Sequence, residues 1–236
     1  MMSLYLMTKK AYRSLGSPFS RTLFSQKTEF SRAILSLKSK LESTASHDEI
    51  YDRDYYLKYS DGVKETAQVI ANWLVKEEIV KTCVDVGCGS GEVLSALAER
   101  GIEVSGYDNS DAALELCREK GLAVGKLDLE TAPKPNKQAD LVISTEVAEH
   151  IPEAFADAYV DFLSETAPVV YVTAATPGQG GTDHVNEQPN SYWIDKFAAR
   201  GMSCDLDEVD RVRKAWRKGG ADGHRAGNLL IFRKPS

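Results

Sequence analysis

The chain has 236 residues, 42% of them hydrophobic and 27% charged, with a net charge of −6; this is ordinary for a soluble globular protein and leaves enough chain for one domain with a sizeable core. No apolar run approaches the ~18 residues a membrane-spanning helix needs, and Cys83, Cys88, Cys117 and Cys204 include no C-x-x-C pair, so neither a disulfide framework nor a metal site is expected and a reducing, cytoplasmic setting is. Residues 1–40 carry eight Lys or Arg against one acid, Glu29; the remaining body is strongly acidic, which argues against a nucleic-acid partner.

Residues 1–45 read as a basic helical extension and 46–236 as the main domain. Phe30, Ala33, Ile34, Leu37 and Leu41 fall at helical spacing with Arg32, Lys38 and Lys40 between them, the pattern of a basic amphipathic helix. Three roles suit it: a cap on the domain, a peripheral contact with an anionic membrane or partner, or an organelle transit peptide. "HDEIYDRDYYLKYS" (47–60) packs four tyrosines into a polar stretch, and Thr66 to Val80 predict a helix with Val69, Ile70, Trp73 and Leu74 on one face. The chain then alternates. Strands are predicted over 82–86, 102–107, 122–127, 139–144 and 169–173, with helices over 92–100, 111–120 and after Pro152. "TPGQGGTDHVNEQPN" (176–190) breaks the pattern as a loop, 192–200 predicts a last helix, and "NLLIFRK" a final strand. This rhythm predicts an α/β fold, a doubly wound parallel sheet with helices on both faces. Its ligand site belongs beyond the carboxyl ends of the strands, where the long loop also lies.

The most specific stretch is "VDVGCGSGEVLSALAERGIEVSGYDNS", residues 84–110. Glycines 87, 89 and 91 allow a sharp turn after the first strand and a close approach to a ligand. A Walker phosphate loop needs a lysine that is missing here, and a dinucleotide fingerprint needs glycine at 92, where Glu92 stands. Asp85, just before the turn, suits an ammonium group. Asp108, 21 residues beyond Gly87, has the placement from which an acid bonds ribose hydroxyls. S-adenosylmethionine (SAM) offers an ammonium, a sulfonium, a ribose diol and no phosphate.

"VDVGCGSG", "GYDNS", "LDLE" and "EVAEHI" resemble the class I SAM-dependent methyltransferases. The resemblance implies a mostly parallel, seven-stranded Rossmann-like sheet. It assigns Asp85, Gly87, Cys88, Gly89 and Gly91 to the methionine side of the cofactor, Asp108 and Asn109 to the ribose, Asp128 and Leu129 to the adenine, and Thr145 and Glu146 to the pocket edge. Cys88 has no neighbouring His or Lys in sequence and reads as packing or pocket lining, not as a nucleophile. A looser resemblance of "DHVNEQPNSYWIDKFAARGM", Trp216 and "NLLIFRK" is to small methyltransferases found alongside glycosyltransferases, and implies a saccharide or glycan hydroxyl as acceptor.

Methyl transfer to a hydroxyl needs orientation and proton removal. His184 and His150 are the candidate bases. Glu149, Asp183, Tyr51, Tyr55 and Tyr56 are candidate acceptor contacts, and the polar loop suits a hydroxyl-rich acceptor. The alternatives are an amine acceptor, a lipid or quinone acceptor at a membrane surface, and a module that holds SAM without catalysis.

Overall fold

In a computed structural model of the chain, the structure describes residues 50–78 and 80–235. The basic extension, residues 1–45, lies outside the described residues. The elements run α1 (Arg53–Glu77), β1 (Thr82–Val86), α2 (Glu92–Ala98), β2 (Glu103–Asp108), α3 (Asp111–Glu119), β3 (Val124–Lys126), β4 (Leu141–Thr145), α4 (Ala156–Thr166), β5 (Val169–Thr173), α5 (Asn190–Ala198), α6 (Leu206–Gly219), α7 (Gly223–Asn228) and β6 (Leu229–Arg233). Short 3-10 turns occur at Leu129–Thr131, Ala148–His150 and Glu153–Phe155.

The strands pair in the order β3-β2-β1-β4-β5-β6, all parallel except β6, which runs antiparallel to β5. The chain order reverses between β1 and β4, whose register matches Val84 with Val142 and Asp85 with Ile143. A ligand crevice is expected at that switch, beyond the carboxyl ends of the strands. β1, β4 and β5 are buried on both faces, as a sheet covered by helices on each side requires. One face packs Tyr159, Phe162, Trp193 and Phe197 against the sheet; the other packs Ile70, Leu74, Leu97 and Trp216.

The sheet has six strands among the described residues, against the seven expected. Beside β6, pairing is reduced to one bridge, Ser203 to Arg233, because the chain between β5 and β6 is spent on helices. Two of these, α6 and α7, were absent from the sequence-based prediction. α6 buries Val209, Val212 and Trp216, is capped by Asp205 accepting from the amides of Asp207 and Glu208, and stops at Gly220. The tyrosine stretch, given no secondary structure from the sequence, is also helix: α1 begins at Arg53, capped by Asp52, so the helix expected from residue 66 starts 13 residues earlier, in the polar segment, where α1 is largely exposed.

Trp216 is fully buried and stacks on Tyr171 at 6.3 Å between ring centroids. Trp216→Ala is therefore expected to lower unfolding free energy by about 3–5 kcal/mol, whereas truncating the exposed Leu206 should stay within ~0.5 kcal/mol. Denaturant unfolding of the two variants checks this.

Candidate active site

The glycine turn leaves β1 with positive φ at each glycine, 76° at Gly87, 51° at Gly89 and 78° at Gly91. The amides of Gly87 and Cys88 both donate to the Tyr107 carbonyl, at 2.8 and 3.0 Å, tying the turn to β2. Asp108, at the end of β2, accepts from the Gly89 amide at 2.8 Å and from the Ser110 amide at 2.9 Å. One carboxylate thus shapes the turn and stands at the place predicted for the ribose acid. A Cβ on Gly89 would sit 3.4 Å from Tyr56 Cε1, so the ring of Tyr56 lies over the turn. Cys88 is buried with Leu94 and Cys117; a thiol hydrogen bond with Cys117 and burial both push its pKa well up.

Asp85 is buried, and its Oδ1 has no hydrogen-bond partner. Burial, and then the charge of Asp108, raise its pKa to about 7 in spite of Arg225. Such a carboxylate invites a cation. Glu92 is spent differently from the sequence-based argument against a dinucleotide: Lys120 Nζ lies 2.6 Å from its Oε1 and Ser60 Oγ donates to the same oxygen at 2.9 Å. It braces the turn against α1 and α3, its charge neutralised, and so gives less reason to exclude a pyrophosphate than like-charge repulsion implied.

The other cofactor candidates fall around this turn. Leu127 N donates to the Asp108 carbonyl, which brings the chain after β3 alongside β2. Asp128 caps the next turn by accepting from Glu130 N, and Leu129 is buried. Asn109 sits half-buried between Asp108 and Ser110, and Thr145 ends β4. Glu146 follows in the left-handed region, φ 55°, as does Asp183 at φ 56°. Non-glycine residues in this conformation are costly and gather at functional sites.

Glu149, His150 and His184 come together beyond β4. Glu149 is fully buried; burial and the charge of Glu146 raise its carboxyl to about 8. Burial lowers the His150 pKa, chiefly against the Asp183 carbonyl, which raises it. The His150 and His184 rings meet edge to face at 5.0 Å. His150 Nδ1 lies 3.0 Å from the Asp183 carbonyl and 3.2 Å from Tyr51 Oη. The amides of Val185 and Asn186 donate to the Glu149 carbonyl and dock the loop on this turn. Tyr51 contacts Tyr55, Tyr56 and His150 edge-on or tilted, with centroids 5.0, 6.5 and 6.0 Å away, while Ser110 Oγ donates to its carbonyl.

Two residues were not anticipated, and a third, Glu187, was foreseen only among the polar residues of the loop. Arg225, on α7, sends its field to Asp85, Glu149 and Tyr55. Asn228 Nδ2 reaches Glu146 Oε1 at 3.4 Å. Glu187 gathers the loop, accepting from the amides of Gly178 and Gly180 and pairing with His184 Nδ1 at 2.9 Å; burial pushes its carboxyl up, but these partners outweigh it and hold it low. The segment 221–228 gave no apolar period to read. Glu187 was visible as one of several polar loop residues, with nothing to single it out.

Residues 84–170 match the family model described as "Methyltransferase domain". A ubiquinone biosynthesis O-methyltransferase from Pseudomonas paraeruginosa is 38% identical over 145 residues, and one from Stutzerimonas stutzeri is 34% identical over 148, each match covering 58% of this chain and 57% of the relative. The chain thus spans little more than half the length of the curated relatives it matches. Among solved structures, magnesium protoporphyrin IX methyltransferase from Synechocystis, solved with bound S-adenosylhomocysteine, superposes with a TM-score of 0.57 at 20% identity, over 74% of this chain and 84% of that one. A sugar N-methyltransferase from Streptoalloteichus gives 0.60 at 16% identity, over 81% and 95%. At that identity the structures speak for the fold alone. Residues 84–170 are thus similar in sequence to a methyltransferase domain, and the doubly wound sheet has the Rossmann-like fold of the solved methyltransferases it superposes on.

Proposed function

We propose that the chain transfers a methyl group from SAM to a hydroxyl of a small ring compound, a phenol or quinol in preference to a saccharide. The observation that carries the cofactor side is Asp85, a buried carboxylate with an unpartnered oxygen, beside a glycine turn and Asp108. The donor set fits SAM. Asp85 takes the ammonium, Asp108 with Asn109 the ribose, Asp128 and Leu129 the adenine side, and Thr145 and Glu146 the pocket edge. SAM brings a methyl group already activated as a sulfonium, so the protein has to orient the acceptor and manage its proton. Tyr51, Tyr55 and Tyr56 exclude water from the amino-terminal side, and His150 and His184 are the groups we assign to the acceptor hydroxyl.

The acceptor preference rests on two supports. The matched relatives carry the name ubiquinone biosynthesis O-methyltransferase. The polar loop that suggested a sugar uses its groups on itself: Glu187 on three loop donors and Gln188 on Asn186, with tyrosine and histidine rings beside it. A lipid-borne quinol would also give the basic residues 1–45 an anionic membrane to meet. The saccharide reading keeps one support, the buried Asn186 Nδ2 without a partner, a donor for an acceptor oxygen. A labelled-methyl transfer screen over catechols, hydroquinones and saccharides decides between them; transfer to sugars alone would reverse the preference.

Asp108→Ala should weaken SAM binding roughly 10- to 150-fold, the effect of losing a charge-assisted contact of ~1.5–3 kcal/mol. Calorimetry measures it, and an unchanged affinity contradicts the assignment. For Asp85 the sign is opposite in the free protein. Its pKa is raised from 3.8 to about 7, so the unfolded chain releases this proton first and stability is lost between about pH 4 and pH 7. Asp85→Asn removes that loss. The variant should match the wild type at pH 4, exceed it increasingly up to pH 7 by thermal unfolding, and still bind SAM more weakly.

A further inference from the structure

The geometry points to a divalent-cation site formed by Glu149, His150 and His184. Each offers one ligand atom, and these atoms lie within 4.8 Å of one another. The expectation of no metal rested on cysteine spacing alone and gave no weight to residues distant in sequence. Glu149 and His150 come from the turn after β4 and His184 from the loop after β5, so only the folded chain assembles them.

Two independent observations point to a ligand. First, Glu149 is 0% exposed and neither carboxylate oxygen has a hydrogen-bond partner of good geometry. Burial outweighs its own amide, that of Ala175 and the Arg225 charge, which favour the ionised form, so the group keeps its proton unless a counter-charge or a coordinating ion takes the proton's place. Second, both imidazoles are held by their Nδ1 atoms. His150 Nδ1 meets the Asp183 carbonyl at 3.0 Å and His184 Nδ1 meets the Glu187 carboxylate at 2.9 Å. A carbonyl and a carboxylate only accept, so each Nδ1 carries the proton and each Nε2 carries a lone pair. That is the outer-shell arrangement of metal-bound histidines. A carboxylate flanked by two nitrogen lone pairs is an electron-rich centre with no donor among its own members. The Nε2 edge of His184 lies against Gly181, where a Cβ would collide with it, so the ring holds this position only beside a glycine.

Two imidazoles and one carboxylate, without a thiolate, suit first-row divalent ions such as Zn2+, Co2+ or Fe2+. Ligand bonds near ~2.1 Å at tetrahedral angles put donor atoms about 3.4 Å apart, so a pair at the 4.8 Å limit has to close by roughly 1.4 Å on binding. Three protein ligands leave coordination positions open for an oxygen of a second molecule. The site stands on its ligand geometry and not on which acceptor is methylated; with an ion bound, His150 and His184 would act on an acceptor oxygen through that ion and not as free bases.

The test uses the full, untagged chain stripped with a chelator, titrated with Co2+ by calorimetry and by visible absorption, and with Zn2+ in competition. One Co2+ per chain with d–d bands is expected, displaced by Zn2+. Glu149→Gln and His184→Ala should each weaken it at least tenfold. SAM affinity of the same variants, measured in parallel, reports that the domain is folded; His184→Asn serves where the alanine variant fails that control. Absence of stoichiometric binding, or equal affinity in folded variants, overturns the site. Loss of SAM binding by the unaltered chain would instead overturn the methyltransferase reading.

Discussion

Two carboxylates are carried out of water at the point where the sheet changes direction. Asp85 lies in the buried part of β1, next to its last residue Val86, and Glu149 follows β4; each is held near or above neutral pKa by burial. A folded chain keeps such groups only at a cost in stability. Nothing in the packing of the sheet requires them, since its faces are covered by aliphatic and aromatic side chains. In the function proposed above the acids are the two halves of a site, one for a cationic cofactor and one for what meets it. Arg225 is a cation whose field reaches both, but its own guanidinium is paired with Asp222 at 3.0 Å, which leaves their demand for positive charge in place.

The turn between them is built to be rigid before any ligand arrives. Asp108 fixes the Gly89 and Ser110 amides, Tyr107 accepts from two further amides, and Lys120 holds both the Ser90 carbonyl and Glu92. Pre-organisation of this kind reduces the ordering cost of binding. On the other side, Glu187 does the same for the loop after β5, so that His184 and His150 face each other in fixed orientation.

Much of this was legible in the sequence where one local rule acts alone. β1, β5 and the glycine turn read directly, because a short apolar run and three spaced glycines admit few conformations. Asp85 and Asp108 were singled out for the same reason; the structure shows the first buried and the second accepting from two turn amides. The tyrosine segment was not read as helix because it buries little in that half, and capping by Asp52 was the only local sign. α6 carried a readable signal in Val209, Val212 and Trp216 between Asp205 and Gly220, but its many charges masked the narrow apolar stripe. The union of Glu149, His150 and His184 has no local signature: it follows from β4 and β5 lying side by side, which aims the chain after each toward the same place. Glu92 shows the converse limit, a correct residue with a partner, Lys120, that its sequence context did not disclose.

The central claim is that the glycine turn and its acids select a cationic cofactor without phosphate. Calorimetry of the full chain with SAM and with NAD tests it most directly. One-to-one binding of SAM and no measurable heat from NAD is the predicted result; binding of NAD without binding of SAM would contradict it.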